Sequence, residues 1–328
     1  MIYIDNQDIH DPRINLAIEE YILRYLDQNE MYLLFYINDP SIIIGKNQNT
    51  IEEINTDVVE REQIYVVRRL SGGGAVYHDR GNLNFSFITK DDGNSFHNFK
   101  KFTEPVVQAL KDMGVNAELS GRNDLMVDGK KISGNAQFAT KGRMFSHGTL
   151  MFDSNIEDVV RALNVKMEKI KSKGIKSIRN RVANIKDYMD EPMAIEGFKQ
   201  KILEGIYAGQ EVREYLLTGK DWENIRDISN KRYKNWEWNY GKSPSSNIQH
   251  SHRFPIGQID IRLNVERGMI RSCKIYGDFF GVGDVNDIEK RLTGIKYAKA
   301  DIEEALNDVD IKHYFGEVAK EDFIQLVY

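Results

Sequence analysis

A run of three glycines placed directly after two arginines constrains this chain more than any other feature. Arg68 and Arg69 follow an apolar, strand-like run at 64–67, and Leu-Ser leads from them into the glycines at 72–74. Glycine lacks a Cβ, so the backbone of such a loop can adopt positive φ and approach a ligand closely. Its N–H groups can point together at an anion, and arginine adds a charge that persists at neutral pH. The loop therefore predicts a phosphate or carboxylate site and favours an enzyme.

The spacing of these residues excludes the two commonest phosphate-binding loops. A Walker loop needs a glycine five residues before its Gly-Lys-Ser/Thr, and the Gly-Lys-Ser at 241–243 has Trp236 in that position. A Rossmann fingerprint needs a third glycine where Tyr77 stands. The sequence therefore disfavours ATP binding by either of those folds.

Composition and charge narrow the class of protein further. The chain has 328 residues and a net charge of −5, whereas a general nucleic-acid binder is normally basic. Its single cysteine, Cys273, excludes an internal disulfide and a thiolate metal cage, and the histidines show no zinc-type spacing. The beginning of the chain lacks the pattern of a signal peptide, and the apolar runs are too short to span a bilayer. We therefore expect a cytoplasmic protein without a structural metal and without a membrane or nucleic-acid partner.

A second cluster of polar residues surrounds a predicted β-hairpin. Asn123 and Asp124 begin the first strand, and Asp-Gly at 128–129 is a strong turn signal. Strand alternation directs Lys131 to the face opposite Lys130, so one lysine can point into a site. Taken alone, the cluster is better explained as a solvated hairpin with two ordinary surface lysines. Asp124 suits a turn or cap about as well as a Mg²⁺ ion held with phosphate oxygens.

Two further features stay open between function and structure. His147, in the run His-Gly-Thr-Leu, could contact a ligand, although a lone histidine is more often structural. A basic run from Lys166 to Arg181 is either a solvated face or a surface that attracts an acidic partner or a phosphate ligand.

The length of the chain suits two domains. Residues 241–247 are rich in Gly, Ser and Pro and are typical of a linker. We therefore predict a first domain over 1–242, a linker over 243–252 and a smaller α+β domain over 253–328.

Together these motifs resemble those of the lipoate–protein ligase A family, in the family's order. The resemblance covers most of the first domain, and 236–241 resembles the family's junction to its C-terminal domain. It implies an α/β (α+β) fold with a biotin/lipoate ligase-like catalytic domain and a small C-terminal α+β accessory domain. The motifs are Arg-Arg-x-Ser-Gly-Gly-Gly-Ala-Val-Tyr-His-Asp (68–79), Gly-Asn-Leu-Asn (81–84), Gly-Arg-Asn-Asp-Leu (121–125), Lys-Ile-Ser-Gly (131–134) and His-Gly-Thr-Leu (147–150).

The resemblance also implies a reaction. Lipoate and ATP form lipoyl-AMP and pyrophosphate, and the lipoyl group then passes to a lysine of an acceptor domain. The implied cofactors are ATP and Mg²⁺. The implied partners are lipoate, the lipoyl domains of 2-oxoacid dehydrogenase E2 subunits and the glycine cleavage H protein, and the implied oligomeric state is a monomer.

The family pattern assigns residues to this reaction. Lys131 is the expected catalytic residue, near both the lipoate carboxyl and the α-phosphate. Asp124 is the expected Mg²⁺ ligand on the chemistry of its side chain rather than on the family pattern. His147 is expected to bind lipoate together with Lys131. Gly45 is expected to line the apolar slot that the lipoyl tail needs, with ordinary core packing as the alternative. The expected ATP- and adenylate-binding residues are Arg69, Ser71, Gly72, Gly73, Gly74, Ala75, Val76, Tyr77, His78, Asn82, Asn123 and Lys131.

Three other functions remain open at this stage. An acyltransferase that works through a thioester would need a thiol, and Cys273 lies away from the motifs. A biotin ligase would share the fold, but its adenylate loop alternates arginine and glycine differently. A lipoate-binding protein would bind lipoate without consuming ATP, and the presence of Arg69 and Lys131 argues weakly against that function.

Overall fold

The computed structural model describes residues 1–163, 181–240 and 247–328, and strands form the framework of these residues. Apolar runs at 32–36, 41–44, 64–67 and 83–88 of the sequence predict strands, and all four are confirmed, with ends that shift by at most two residues. The strands are β1 (Ile2–Asp5), β2 (Tyr32–Ile37), β3 (Ser41–Ile44), β4 (Tyr65–Arg68), β5 (Val76–His78), β6 (Asn82–Lys90), β7 (Glu118–Ser120), β8 (Asp124–Val127), β9 (Lys130–Thr140), β10 (Arg143–Met151), β11 (Arg213–Glu214), β12 (Ile248–Phe254), β13 (Gly257–Glu266) and β14 (Met269–Gly277).

The described strands form three sheets. The largest has eight strands in the order β11-β1-β2-β6-β10-β9-β8-β7, with β1 parallel to both of its neighbours and the remaining pairs antiparallel. A small sheet has the order β4-β3-β5, and a third has the order β12-β13-β14. Asp128 and Gly129 have φ of 47° and 73°, which confirms the predicted tight turn between β8 and β9.

Two helix starts show how capping side chains act. Asp11-Pro12 predicts a helix start, and it is confirmed: Asp11 accepts a hydrogen bond from the Arg13 N–H and Pro12 occupies the first helical position. The sequence over 50–62 predicts a single short helix, but the structure has two, because the Asn55 side chain caps a new start. No helix within the described ranges is long and apolar enough to cross a membrane. The α-helices are α1 (Pro12–Tyr25), α2 (Thr50–Glu53), α3 (Thr56–Arg61), α4 (Phe99–Asp112), α5 (Ile156–Ala162), α6 (Ile195–Tyr207), α7 (Gly219–Ile228), α8 (Trp236–Asn239), α9 (Val285–Leu292), α10 (Lys299–Ala305), α11 (Ile311–Phe315) and α12 (Lys320–Val327), with a 3-10 helix at Ile185–Tyr188 and a π-helical turn at Ser229–Tyr233.

The chain divides into two compact units, and the division does not follow chain order. The glycine loop and the segment 44–52 belong to the same unit as the C-terminal sheet, although both lie early in the sequence. Each unit has its own apolar core. The larger unit comprises Met1–Ile43, Glu53–Val67 and Val76–Asn239, and the smaller comprises Ile44–Glu52, Arg68–Ala75 and Tyr240–Tyr328.

Two sequence predictions fall partly outside the described residues. Of the linker predicted over 243–252, residues 248–252 lie in β12, and 243–246 are not among the described residues. Of the basic run from Lys166 to Arg181, only Arg181 is described. The domain boundaries and the role of the basic run therefore stay predictions.

Candidate functional site

The glycine loop, residues 68–75, is closed by the side chain of Arg69. The Arg69 Nε donates to the Ser71 Oγ at 2.9 Å, and its NH2 donates to the carbonyl oxygens of Gly72 at 2.6 Å and Gly74 at 2.9 Å. The arginine is buried. Hydrogen bonds that involve a charged donor are among the strong ones, so the loop has a defined shape before any ligand binds.

The three glycines of the loop differ in what a side chain at each position would contact. A Cβ on Gly72 would meet the Phe279 carbonyl, and a Cβ on Gly73, whose φ is +90°, would meet the Phe280 ring. A Cβ on Gly74 would have no atom of the described residues within 4 Å. Packing therefore explains the first two glycines, whereas no described neighbour restricts Gly74.

Gly45 allows the segment 44–52 to lie directly against the glycine loop. A Cβ at this position would meet the carbonyl oxygen of Gly73. The Lys46 N–H donates to the Ser71 carbonyl at 2.8 Å and holds the two segments together. The predicted lipoate residue Gly45 and the predicted adenylate residue Gly73 are thus neighbours.

Arg68 has a role that the sequence reasoning missed. Its NH1 donates to the carbonyl oxygens of Gly45 at 2.9 Å, Lys46 at 3.0 Å and Gln48 at 2.7 Å, and its NH2 donates to the Thr50 Oγ1 at 2.7 Å. Burial lowers the pKa of Arg68 to about 10, so the guanidinium is still charged at neutral pH. Arg68 is the last residue of β4 and Arg69 lies beyond it, so strand periodicity in the sequence does not separate the two arginines.

Lys131 lies beside a β-bulge of the β8–β9 hairpin. Met126 pairs with Lys131 and Leu125 pairs with Ser133, so Ile132 has no partner opposite it. Ile132 is fully buried in the core of the larger unit. Successive side chains of a strand point to opposite faces, which explains why Lys131 can lie at the surface next to a core residue.

The side chain of Lys131 forms an ion pair with Asp124. Their Nζ and Oδ1 atoms are 2.9 Å apart, and each side chain is 36% exposed. The Lys131 N–H donates to the Arg181 carbonyl at 2.7 Å, and the Lys131 carbonyl accepts from the Ala183 N–H at 3.0 Å. The backbone of this lysine is therefore held on both sides, while its ammonium group is reachable from solvent.

Asn123 connects the start of β8 to β9. Its Nδ2 donates to the Asn135 carbonyl at 2.6 Å, and the Asn135 Nδ2 donates back to the Asn123 carbonyl at 3.0 Å. The reciprocal pair stabilises the strand that carries Asp124. The structure thus brings Asn123, Asp124 and Lys131 together, as the sequence predicted for a hairpin.

His147 is buried and paired with Glu19 of α1. Its Nδ1 lies 2.9 Å from the Glu19 Oε1, and both side chains are less than 10% exposed. A carboxylate at this distance favours the proton on Nδ1 and fixes the orientation of the ring. Sequence reasoning missed Glu19, because the apolar spacing of α1 predicts apolar residues, not a carboxylate, on the inner face of the helix.

The remaining predicted nucleotide residues follow the glycine loop along the chain. Tyr77 lies in β5 and pairs with Ile42, and burial raises its pKa. His78 is buried, with its Nδ1 3.0 Å from the Asn38 Nδ2. Asn82 is buried and donates to the Asn84 Oδ1 at 3.1 Å, while Ala75 and Val76 connect the loop to β5.

A metal ion at this site would have few protein ligands. Within the residues that the structure describes, no group of three or more His, Cys, Asp or Glu side chains is placed to hold a metal ion. Mg²⁺ is commonly held by one or two carboxylates when phosphate oxygens and water complete its shell. The half-exposed carboxylate of Asp124 fits that requirement.

Cys273 is poorly suited to covalent catalysis. It lies buried in the core of the smaller unit, and burial raises its pKa to about 12. The thiolate is the nucleophilic form of cysteine, and it is scarce at neutral pH when the pKa is this high.

Two family models match the chain in succession. Residues 11–207 match the lipoyl protein ligase A/B catalytic domain, and residues 243–327 match the bacterial lipoate protein ligase C-terminus. The lipoate-protein ligase LplJ of Bacillus subtilis is 65% identical over 331 residues, and the match covers 100% of each chain.

Solved structures agree with these matches. The chain is similar to Plasmodium falciparum LipL1 in complex with lipoate, with a TM-score of 0.78, 25% identity, and coverage of 99% of this chain and 97% of that one. It is also similar to a lipoate-protein ligase A bound with ATP, with a TM-score of 0.62, 30% identity, and coverage of 74% of this chain and 97% of that one. The predicted biotin/lipoate ligase-like α/β fold with a C-terminal α+β domain is confirmed. The full-length identity and the matched catalytic model place this chain in the lipoate–protein ligase family.

Proposed function

We propose that this protein is an ATP-dependent lipoate–protein ligase, which forms lipoyl-AMP and transfers the lipoyl group to a lysine of an acceptor domain. The observation that supports this function best is the Lys131–Asp124 pair. It places a solvent-reachable cation on a rigid backbone, at the position of the family's Lys-Ile-Ser-Gly motif. Such a cation can meet an anionic substrate without a rearrangement of the fold.

The first half-reaction joins two anions. A lipoate carboxylate oxygen attacks the α-phosphorus of ATP, a mixed anhydride forms, and pyrophosphate leaves with the electron pair of the broken P–O bond. Fixed positive charge and N–H donors stabilise the charge that develops in such a step. We assign nucleotide binding to the backbone of 74–77 and to Arg69, which holds the glycine loop in shape and gives it a positive charge. We assign neutralisation of the carboxyl and the α-phosphate to Lys131. Asp124 would hold a Mg²⁺ ion, which supplies further charge against the phosphates.

The second half-reaction forms the amide. The neutral amine of the acceptor lysine attacks the acyl carbonyl, AMP leaves, and the amine releases a proton. Because a free lysine has a pKa of about 10.4, the site must favour its neutral form. Nearby cations such as Lys131 act in that direction, since they disfavour a second positive charge.

The same proposal includes the acceptor proteins, the cellular location, the oligomeric state and the domain boundaries. We propose that the acceptors are lipoyl domains of 2-oxoacid dehydrogenase E2 subunits and the glycine cleavage H protein. We also propose a cytoplasmic monomer, with a catalytic domain over 1–242 and an accessory domain over 253–328. The remaining site residues named from the sequence are proposed to line the adenylate and the lipoyl chain.

A single incubation tests this function. The protein is mixed with lipoate, ATP and Mg²⁺, and lipoyl-AMP and pyrophosphate are measured by mass spectrometry and a coupled assay. We expect both products, followed by lipoylation when an E2 lipoyl domain is added. A parallel reaction with biotin should give no adenylate. Lipoate binding without any consumption of ATP would contradict the proposal and favour a binding protein.

A further inference from the structure

We propose that Arg68 is a positioning residue for the acyl substrate. It sets the shape of the segment 44–52, which includes Gly45. This inference rests on the proposed function, which assigns Gly45 to lipoate. Arg68 itself is buried and acts through the segment rather than on the reacting atoms.

The segment converges on the Arg68 guanidinium. The carbonyl oxygens of Gly45, Lys46 and Gln48 lie between 2.7 and 3.0 Å from a single nitrogen, NH1. Carbonyl oxygens carry partial negative charge, so three of them around one point repel each other unless a cation lies between them. The conformation of the segment therefore depends on this guanidinium.

The shape of the segment also determines where Gly45 lies. The Gly45 N–H donates to the Gln48 Oε1 at 2.9 Å, and this short turn lies against the carbonyl of Gly73. If Arg68 releases its carbonyls, the turn can unwind and Gly45 can leave the glycine loop. We therefore expect the position of Gly45 to change before the glycine loop itself, which Arg69 holds independently.

Lysine cannot replace Arg68 in this arrangement. The guanidinium is a planar fork, and here its NH1 serves the carbonyls while its NH2 reaches the Thr50 Oγ1 at 2.7 Å. An ammonium group is a compact point charge and cannot serve both directions at once. Arg68→Lys therefore keeps the charge and removes part of the hydrogen-bond pattern.

The experiment compares the Michaelis constants of the two substrates in lipoyl-AMP formation. Because hydrogen bonds to a charged group are among the stronger ones, we expect Arg68→Lys to raise the KM for lipoate about tenfold or more, with the KM for ATP changed about twofold or less. Thr50→Val keeps the arginine and removes one acceptor, so it should raise the KM for lipoate less. This milder variant tests the inference if Arg68→Lys does not fold.

Arg143 provides a matched control. It is also a buried arginine, and it donates to the carbonyl oxygens of Asp27 at 2.8 Å and Ile22 at 3.3 Å. Arg143→Lys should lower the unfolding temperature and leave the KM for lipoate unchanged. An equal rise of both Michaelis constants in Arg68→Lys, or the same rise in Arg143→Lys, would mean that Arg68 only stabilises the fold.

The outcomes separate the two proposals. If the wild-type protein forms no lipoyl-AMP, the proposed function fails, and the role of Arg68 fails with it. If the wild-type protein forms lipoyl-AMP while Arg68→Lys and Thr50→Val retain the normal KM for lipoate, only the role of Arg68 is overturned.

Discussion

The glycine loop and the β8–β9 hairpin each present a cation, but they hold it in different ways. Arg69 is buried and donates to carbonyl oxygens of its own loop, whereas Lys131 is 36% exposed and pairs with the Asp124 carboxylate. A partly exposed ion pair typically contributes only about 0–1 kcal/mol, so a substrate anion can displace Asp124 at small cost. Buried charge-assisted hydrogen bonds resist exchange far more strongly. The glycine loop therefore has its shape before a substrate binds, whereas Lys131 can exchange Asp124 for a substrate anion.

The largest expected effect comes from the exchangeable cation. Lys131→Ala removes the charge that we assign to the carboxyl and the α-phosphate, while the backbone hydrogen bonds of the strand can persist. Because one oxyanion-stabilising group typically contributes about 10²–10³ in rate, we expect lipoyl-AMP formation to slow by about that factor. Single-turnover measurement of pyrophosphate release checks this.

Lys130 is the natural control for that variant, because it precedes Lys131 on the same strand. Lys130→Ala should retain the rate of pyrophosphate release. A Lys131→Ala protein that forms and transfers lipoyl-AMP at the normal rate would mean that the hairpin cation has no part in the reaction.

An intermediate effect is expected where the preformed loop meets its neighbour. Gly45→Ala places a Cβ against the Gly73 carbonyl, so one of the two segments must move. Overpacking of this kind typically costs about 1–3 kcal/mol, and we expect the free energy of unfolding to fall by that amount while the KM for lipoate rises. Denaturant unfolding and steady-state kinetics measure the two effects.

Gly219 allows a matched substitution at the start of α7. A Cβ there would have no atom of the described residues within 4 Å, so Gly219→Ala should leave the free energy of unfolding and the KM for lipoate nearly unchanged. If Gly45→Ala behaves in the same way, the two segments are not coupled by close packing.

The smallest expected effect is at Cys273. Cys273→Ala should leave ligation intact, because burial raises the pKa of this thiol to about 12 and the proposed reaction uses no thioester. A free thiol has a pKa of about 8.5, so between that pH and about 12 the unfolded chain releases a proton that the folded chain keeps. The wild type should therefore lose stability as the pH rises through this range, and the loss should be smaller in the alanine variant.

Activity and unfolding measured from neutral to alkaline pH check this prediction. If Cys273→Ala abolished ligation, the proposed adenylate reaction would be contradicted and an acyltransferase that works through a thioester would be favoured. An identical pH dependence of unfolding in both proteins would mean that the thiol does not titrate differently on folding.

Local sequence was sufficient for the features that depend on neighbouring residues. The cap at Asp11, the tight turn at 128–129 and the strands on either side of it all follow from backbone preferences over a few positions. The break at Asn55 was missed because a cap inside a helical pattern competes with continuation of the helix, and only packing decides between them.

Partners that lie far apart in the chain could not be predicted in the same way. Glu19 meets His147 across 128 positions, and the contacts of Arg68 reach back about twenty residues to a segment with no periodic signal. Such pairs depend on how helices and strands are assembled, so the composition of either segment does not predict them.

The sequence by itself determined the chemistry available to this protein: a glycine loop with permanent charge, a lysine after a tight turn, and the ordered motifs of a ligase family. Only the tertiary structure decided how each charge is used. Arg68 and Arg69 are adjacent and chemically identical, yet one holds the segment 44–52 and the other holds the glycine loop. The physical reason is that burial and the position of carbonyl oxygens select a partner for each donor, and both are properties of the folded chain.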